Sequence, residues 1–140
     1  MKILLAVDGS AYTKKMLAYL VTHQELLAST NSYTLLTVQP QLPAHARRMV
    51  RKEVTDNYHR EEAEKVLGPA TQFLARHGIN PKSVTKVGHA GEQICKVAES
   101  GKFDMVVMGS HGHGVFGNLV MGSVATQVMA RSQVPVLMVR

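Results

Sequence analysis

Residues Met105–Ser123 read MVVMGSHGHGVFGNLVMGS, and this stretch decides the fold. The apolar run Met105–Met108 precedes a segment that holds five of the chain's eleven glycines. Glycine at that density costs backbone entropy, so a constraint on the backbone is expected there. A short apolar run, a glycine-rich turn and then helical spacing from Val124 onward are typical of a strand that leads into a helix.

The same pattern recurs along the chain. Five short apolar runs alternate with segments of helical spacing, and these runs are Ile3–Val7, Tyr33–Val38, Ser83–Val87, Met105–Met108 and Val134–Val139. Such alternation indicates βαβ units with right-handed crossovers, and hence a parallel sheet with helices on both faces. Because the runs are apolar throughout, the strands are predicted to be buried on both faces. We predict one α/β domain over residues 1–140, without a linker or an internal repeat.

Capping residues predict the ends of helices. Ser10 is predicted to cap the first helix, and Gly78 to end the second. The second helix is predicted within His45–His77, with a break near Gly68-Pro69, because proline interrupts the hydrogen-bond ladder. The third is predicted over Gly91–Ser100.

Length and composition indicate an ordinary globular domain. The chain has 140 residues, of which 45% are hydrophobic and 19% charged. Its one cysteine, Cys95, excludes an intramolecular disulfide and fits a reducing compartment. The first apolar run is too short for a signal peptide, and no run approaches the ~20 apolar residues of a membrane helix. We therefore expect a soluble cytoplasmic protein with no membrane partner.

The net charge of +6 favours anionic partners without choosing among them. Aromatic residues make up 5% of the chain and tryptophan is absent, which leaves little material for stacking on single-stranded bases. No nucleic-acid partner is expected. The basic segment His45–Lys52 is predicted to be a solvated helix face, with an acidic partner or attraction of phosphate as the alternative.

Three known motifs do not account for the glycine-rich segment. Gly112–Gly117 matches G-x-G-x-x-G, but it follows the fourth strand, and no acidic residue follows Met105 to contact a ribose. Gly117–Ser123 has the glycine spacing of a P-loop without its lysine. His111 and His113 lie two apart, which is no recognised metal-ligand spacing, so no metal site is predicted.

The segment nevertheless suits an anion. Gly109 and Gly112 can adopt positive φ, and successive bare N–H groups there can form an anion-binding concavity. Gly122-Ser123 is predicted at the start of a helix, where free N–H donors and the helix dipole favour phosphate. Asp8 is either a capping carboxylate or an acceptor for a base amino group or a ribose. If the first and fourth strands are neighbours, these groups face one crevice.

The spacing Gly, two residues, Gly, nine residues, Gly-Ser at Gly109, Gly112 and Gly122-Ser123 resembles the ATP-binding signature of the universal stress protein family. The resemblance extends over ILLAVDGS, LLTV, FDMVVMGSHGHG, GSVATQV and VPVLMVR. It does not extend to residues Gln41–Gly68.

This resemblance implies a doubly wound open sheet of five parallel strands in the order 3-2-1-4-5, with ATP where the first and fourth strands meet. It also implies a homodimer through Val134–Val139. The adenine end of the site would be formed by Ala6, Val7, Asp8 and Val38. Ribose and phosphates would be held by Gly109, Gly112, Gly122 and Ser123, with Met108, Ser110, His111 and Val124 adjacent.

The function that follows is an ATP-binding regulatory module of stress responses with at most slow hydrolysis. Mg²⁺ is a candidate to bind together with ATP, although Ser123 alone would give it only one protein ligand. The alternatives are a genuine ATPase or phosphotransferase, and a dimeric interaction module with vestigial nucleotide binding. No catalytic residue is assigned, and His111 and His113 are the side chains that could approach the phosphates.

Overall fold

A computed structural model describes residues 1–28, 30–114 and 120–140. A short 3₁₀ turn, Gln24–Leu27, joins the first helix to the second strand. The strands and helices, in chain order, are β1 Lys2–Ala6, α1 Ala11–Thr22, β2 Ser32–Gln39, α2 Ala44–Met49, α3 Lys52–Arg76, β3 Lys82–Val87, α4 Ala90–Ser100, β4 Met105–Gly109, α5 Ser123–Arg131 and β5 Val136–Val139.

The strands form one parallel sheet in the order β3-β2-β1-β4-β5, which confirms the predicted topology. β1 is central: Leu5 is level with Leu35 of β2 on one side and with Val107 of β4 on the other. The chain winds outward from β1 in both directions. The carboxyl ends of β1 and β4 therefore lie side by side at the point where the strand order reverses.

Each face of the sheet carries its own core. Ile3 and Leu5 of β1 point to one face and Leu4 to the other, and all three are fully buried. The first core is completed by α1 and α3, and the second by α4 and α5. Helices on both faces are thus confirmed. Alternate side chains of a buried strand serve opposite cores, which explains the uninterrupted apolar runs.

The prediction of double burial is wrong for β3. Five of its six residues are exposed, and Val84 is the one that is partly buried. β3 is the sheet edge and pairs with β2 alone. Its exposed Lys82 and Lys86 suit an edge strand, since charged side chains there oppose pairing with other chains.

The predicted break at Gly68-Pro69 is also wrong. α3 continues through Pro69, and the helical segment is instead interrupted at Val50 and Arg51, which have extended backbone angles. Pro69 is on the exposed side of α3, while the opposite side is anchored in the first core by Ala63, Leu67, Ala70 and Leu74. α2 buries no residue. Nothing therefore holds the chain helical across residue 50, whereas packing offsets the one hydrogen bond that proline removes.

The predicted helix ends are confirmed. Ser10 precedes α1, and its side chain accepts a hydrogen bond from the Thr13 N–H at 3.4 Å. Gly78 has a φ of +78° just beyond the end of α3, a conformation that favours glycine. Across residues 1–28, 30–114 and 120–140, no helix has the length and hydropathy needed to cross a bilayer.

Candidate functional site

A cleft of about 460 Å³ opens at the carboxyl ends of β1 and β4. Helices leave these two strands toward opposite faces of the sheet, so the loops part and leave a crevice between them. The cleft is lined by eleven of the twelve residues that the sequence predicts for the site: Ala6, Val7, Asp8, Val38, Met108, Gly109, His111, Gly112, Gly122, Ser123 and Val124. The same cleft is lined by Thr13, Leu36, Ala90, Ile94, His113, Gly114 and Ala125, which are outside the predicted set.

The lining divides into two chemical kinds. Apolar side chains come from the strands and from α4, and include Val38, Ile94 and Met108. The glycine-rich loop contributes residues 109 and 111–114, and the start of α5 adds its main-chain N–H groups. The helical spacing of Ile94 predicts that it faces the core. No local sequence pattern indicates that the amino end of α4 meets the carboxyl end of β4, so its place in the cleft was not predicted.

Asp8 has one oxygen bound and one available. Oδ1 accepts hydrogen bonds from the Ser10 N–H at 2.9 Å and from the Thr13 hydroxyl at 2.8 Å. Oδ2 makes no hydrogen bond within the described residues and faces Gly112. The carboxylate therefore stabilises the turn into α1 through one oxygen and leaves the other as an acceptor at the cleft.

The expectation that Gly109 and Gly112 adopt positive φ is wrong. In the part of the chain that is described, Gly114 is the glycine of the cleft lining with positive φ, at +75°, and Gly9, next to Asp8, has a φ of +78°. Gly114 therefore has a conformational role that the spacing of the signature does not indicate. Gly117 lies outside the described residues.

The glycines of the signature are needed for close approach instead. A Cβ on Gly109 would lie 2.7 Å from the Cβ of Tyr12, and one on Gly112 would lie 2.6 Å from Oδ2 of Asp8. A Cβ on Gly122 would lie 3.1 Å from the main chain of the preceding glycine-rich loop. In each case a residue distant along the chain occupies the space that a side chain would need.

The amino end of α5 presents free donors. Gly122 is its N-cap and provides no side-chain bond, and the first bond within the helix runs from the Thr126 N–H to the Gly122 carbonyl at 2.9 Å. The N–H groups of Ser123, Val124 and Ala125 accordingly have no hydrogen-bond partner among the described residues. Ser123 starts the helix as predicted, and all three residues line the cleft.

Ser110 is the predicted residue that the structure does not bring into the lining. Its side chain is 2% exposed, and its hydroxyl lies 2.8 Å from Nδ1 of His111. Its N–H donates to the Val139 carbonyl and its own carbonyl accepts from the Gly122 N–H, both at 2.8 Å. Ser110 thus ties the glycine-rich loop to β5 and to the start of α5.

Both histidines of the segment line the cleft. Nε2 of His113 lies 2.7 Å from the Asp8 carbonyl oxygen. A carbonyl can only accept, so Nε2 carries the proton and donates. The ring of His111 lies 4.7 Å from that of Tyr12, and the Lys15 ammonium lies 4.7 Å from the same Tyr12 ring.

Cys95 is buried in α4, and burial raises the pKa of its thiol. Within the described residues no group of three or more histidine, cysteine, aspartate or glutamate side chains is arranged to hold a metal ion.

The fold and the cleft define a class: a doubly wound α/β domain with a cleft at the switch point of its sheet. The model of the universal stress protein family matches residues 1–140. The chain belongs to the universal stress protein family.

Among its curated relatives, the universal stress protein Slr1230 of Synechocystis is 33% identical over 141 residues, which cover 99% of this chain and 42% of that protein. A universal stress protein of Thermus aquaticus is 32% identical over 139 residues, which cover 99% of this chain and 97% of that one. The alignment with MJ0577 of Methanocaldococcus jannaschii covers 49% of that protein. The matched region is therefore less than half the length of Slr1230 and of MJ0577.

Solved structures share the fold. That of MJ0577 superposes with a TM-score of 0.83 at 27% identity and covers 99% of this chain and 94% of the other. Three fold neighbours were solved with nucleotides: a protein of Archaeoglobus fulgidus with dAMP, a universal stress protein with cAMP, and a protein of Arabidopsis thaliana with AMP. Their TM-scores are 0.71, 0.67 and 0.66, their identities are 20%, 20% and 17%, and they cover 100%, 100% and 99% of this chain. The alignments cover 98%, 96% and 90% of the chains of these three neighbours, in the same order.

Proposed function

We propose that this chain binds ATP in the cleft between β1 and β4 and acts as a regulatory module whose state depends on that nucleotide. The observation that carries the proposal is the trio of free N–H groups at the start of α5, which face a cleft that three glycines keep open. Unpaired N–H groups at a helix start are a site for anions, and phosphate is the usual occupant. Family membership and the adenine nucleotides bound by fold neighbours support the same choice.

The remaining lining fits the rest of the ligand. An adenine ring is flat and largely apolar, and Val38, Ile94 and Met108 offer it an apolar wall. The free Oδ2 of Asp8 can accept from a ribose hydroxyl or from an amino group of the base. The volume of about 460 Å³ is in the range of small-molecule sites, roughly 300–1,000 Å³.

Mg²⁺ would be held mainly by the phosphates. The described cleft lining has side-chain oxygens on Ser123, Asp8 and Thr13, and the Thr13 hydroxyl already donates to Asp8. Magnesium is commonly bound by one or two protein ligands together with phosphates and water. We further propose that the protein works in a reducing, cytoplasmic setting, which its free buried Cys95 supports.

Calorimetric titration with ATP tests the proposal. We expect saturable binding to the wild type and a loss of at least about tenfold in affinity for Gly122→Val, because the new side chain would meet the glycine-rich loop and displace the start of α5. Gly68→Ala is the matched control. It lies within α3, and its Cβ would meet only the flexible end of Glu64, so its affinity should equal that of the wild type. No heat of binding in the wild type, or equal affinities for wild type and Gly122→Val, would refute the proposal.

We also propose that β5 pairs with β5 of a second copy to form a homodimer. β5 pairs with β4 alone and is thus the second edge of the sheet. The hydrogen bonds from Val106 N–H to Pro135 and from Ser110 N–H to Val139 fix its orientation. In a parallel ladder, groups alternate along a strand, so the main chain of Val136 and Met138 points to the open side.

This alternation supplies a test. Met138→Pro removes an outward N–H without touching the ladder with β4, and it should halve the mass of the wild-type assembly in light scattering. Met138→Ala loses the same side chain but keeps the N–H, and it should keep the wild-type mass. A monomeric wild type at micromolar concentration would exclude this interface, and so would a Met138→Pro variant that keeps the wild-type mass.

A further inference from the structure

The start of α3 carries an exposed stripe with a coiled-coil spacing. The stripe consists of Arg51, the residue that caps the helix, and of Val54, Tyr58 and Glu61 within it. The intervals of three, four and three residues place these positions along one side of the helix. All four are exposed, and Val54 and Tyr58 are 53% and 46% exposed, which is unusual for large apolar side chains so close together. The opposite side of α3, from His59 to Leu74, is the side that packs on the sheet.

The charged ends of the stripe form no salt bridge within the described chain, although Lys65 attracts Glu61 at longer range. The salt bridge that the described residues form is between Lys65 and Glu62, at 2.7 Å, and Arg51 and Glu61 make none. The stripe ends there, because Lys65, the next position of the same spacing, is already neutralised by Glu62. The same polarity holds more widely: residues 44–52 contain four basic and no acidic side chains, whereas residues 53–64 contain five acidic and one basic.

The stripe is complementary to itself. When two copies of α3 lie antiparallel about a two-fold axis level with residue 56, Val54 of each copy is opposite Tyr58 of the other. The same operation places Arg51 of each copy opposite Glu61 of the other. In an antiparallel coiled coil, the first (a) position of the seven-residue repeat faces the fourth (d) position of the partner helix. Arg51 and Tyr58 occupy a positions, and Val54 and Glu61 occupy d positions, so the pairing here has this form. A two-fold contact must be self-complementary in this way.

We propose that this stripe of α3 is an interface with the same stripe of a second copy of the chain. A uniformly anionic surface such as a bilayer fits less well, since Glu61 and the neighbouring acidic residues would be repelled by it. The interface is separate from β5, so the proposal does not depend on the β5 dimer or on nucleotide binding. With both contacts present, two β5 dimers join through α3.

Charge reversal on the full chain tests the pairing by sedimentation equilibrium over a range of protein concentrations. Arg51→Glu and Glu61→Arg should each halve the mass of the largest species, because each creates two like-charge contacts across the axis. The double variant Arg51→Glu with Glu61→Arg should restore the wild-type mass. Halving is expected whether the unit that associates is a monomer or a β5 dimer.

Arg60→Glu is the matched control. It makes the same change in net charge on an exposed residue, but it lies on the side of the helix opposite Arg51, and it should leave the mass unchanged. Equal masses for the wild type and both single reversals would overturn the proposal. So would a double variant that stays at half mass, since that would show that the two charges act separately. An unchanged melting temperature in each variant confirms that the fold is intact.

Discussion

Gly112→Ala is the sharpest test of the site, because it adds a single methyl group at a defined contact. The new Cβ would lie 2.6 Å from Oδ2 of Asp8. The carboxylate cannot rotate freely away, since its other oxygen is held by the Ser10 N–H at 2.9 Å and the Thr13 hydroxyl at 2.8 Å. Either the carboxylate or the glycine-rich loop must therefore move.

The size of the effect follows from that displacement. Ordinary contact requires about 3.4 Å, so the two groups must separate by ~0.8 Å, which is enough to lengthen a hydrogen bond that Oδ2 accepts from the ligand beyond its useful range. A hydrogen bond to a charged group contributes about 1.5–3 kcal/mol. We expect ATP to bind about 10- to 100-fold more weakly to Gly112→Ala.

A double-mutant cycle with Asp8→Ala isolates the contact. Asp8→Ala removes Oδ2, so adding Gly112→Ala in that background should weaken ATP binding by less than about threefold. The loss of the turn-stabilising bonds of Asp8 is common to both members of that comparison and cancels. Affinities come from calorimetric titration at fixed salt, with urea unfolding of each variant as a check on the fold.

Two results would refute this reasoning. If Gly112→Ala binds ATP as tightly as the wild type, the close approach to Asp8 is not required for the site. If the methyl group costs the same in both backgrounds, it acts on the loop or directly on the ligand, and the carboxylate is not the group that it displaces.

Three other perturbations have defined outcomes. His111→Ala and His113→Ala should leave any slow ATP hydrolysis within about twofold of wild type in a phosphate-release assay, because we assign them no catalytic role; a loss of turnover in either would favour the enzymatic alternative. Pro69→Ala should raise the free energy of unfolding by ~1 kcal/mol in urea titrations. It restores a backbone N–H to the hydrogen-bond ladder of α3, and this gain is partly offset because the unfolded chain becomes less restricted. A lower stability would mean that the proline ring makes stabilising contacts. Cys95 should react far more slowly with iodoacetamide at pH 7 in the folded protein than in urea, because burial both shields the thiol and raises its pKa, which lowers the thiolate fraction; equal rates would contradict its burial.

Sequence predicts most of this fold because its signals are local or periodic. The apolar runs mark the strands, and Ser10 and Gly78 mark helix ends through hydrogen bonds within a few residues. The strand order came from the family resemblance. The break at Pro69 was mispredicted because the contacts that keep α3 continuous come from the sheet and from α1, which a local rule does not contain.

The site shows the same limit more clearly. The glycine spacing selected residues that line the cleft, but the reason assigned to Gly109 and Gly112 was a backbone angle that they do not adopt. Their actual neighbours, Tyr12 and Asp8, lie about a hundred positions earlier in the chain. Steric exclusion between distant segments leaves no local trace, so only the three-dimensional arrangement reveals it.

The charges of the cleft favour binding over rapid phosphoryl transfer. Among the described residues that line it there is no lysine or arginine, and the titratable side chains are Asp8, His111 and His113. Enzymes that transfer phosphoryl groups neutralise the charge that develops in the transition state, usually with lysine, arginine or bound metal. In the described lining the positive potential comes from the N–H groups and the dipole of α5, which suit a bound phosphate. We therefore expect phosphate release from the proposed ATP ligand to be slow in the presence of Mg²⁺, and rapid turnover would refute this expectation.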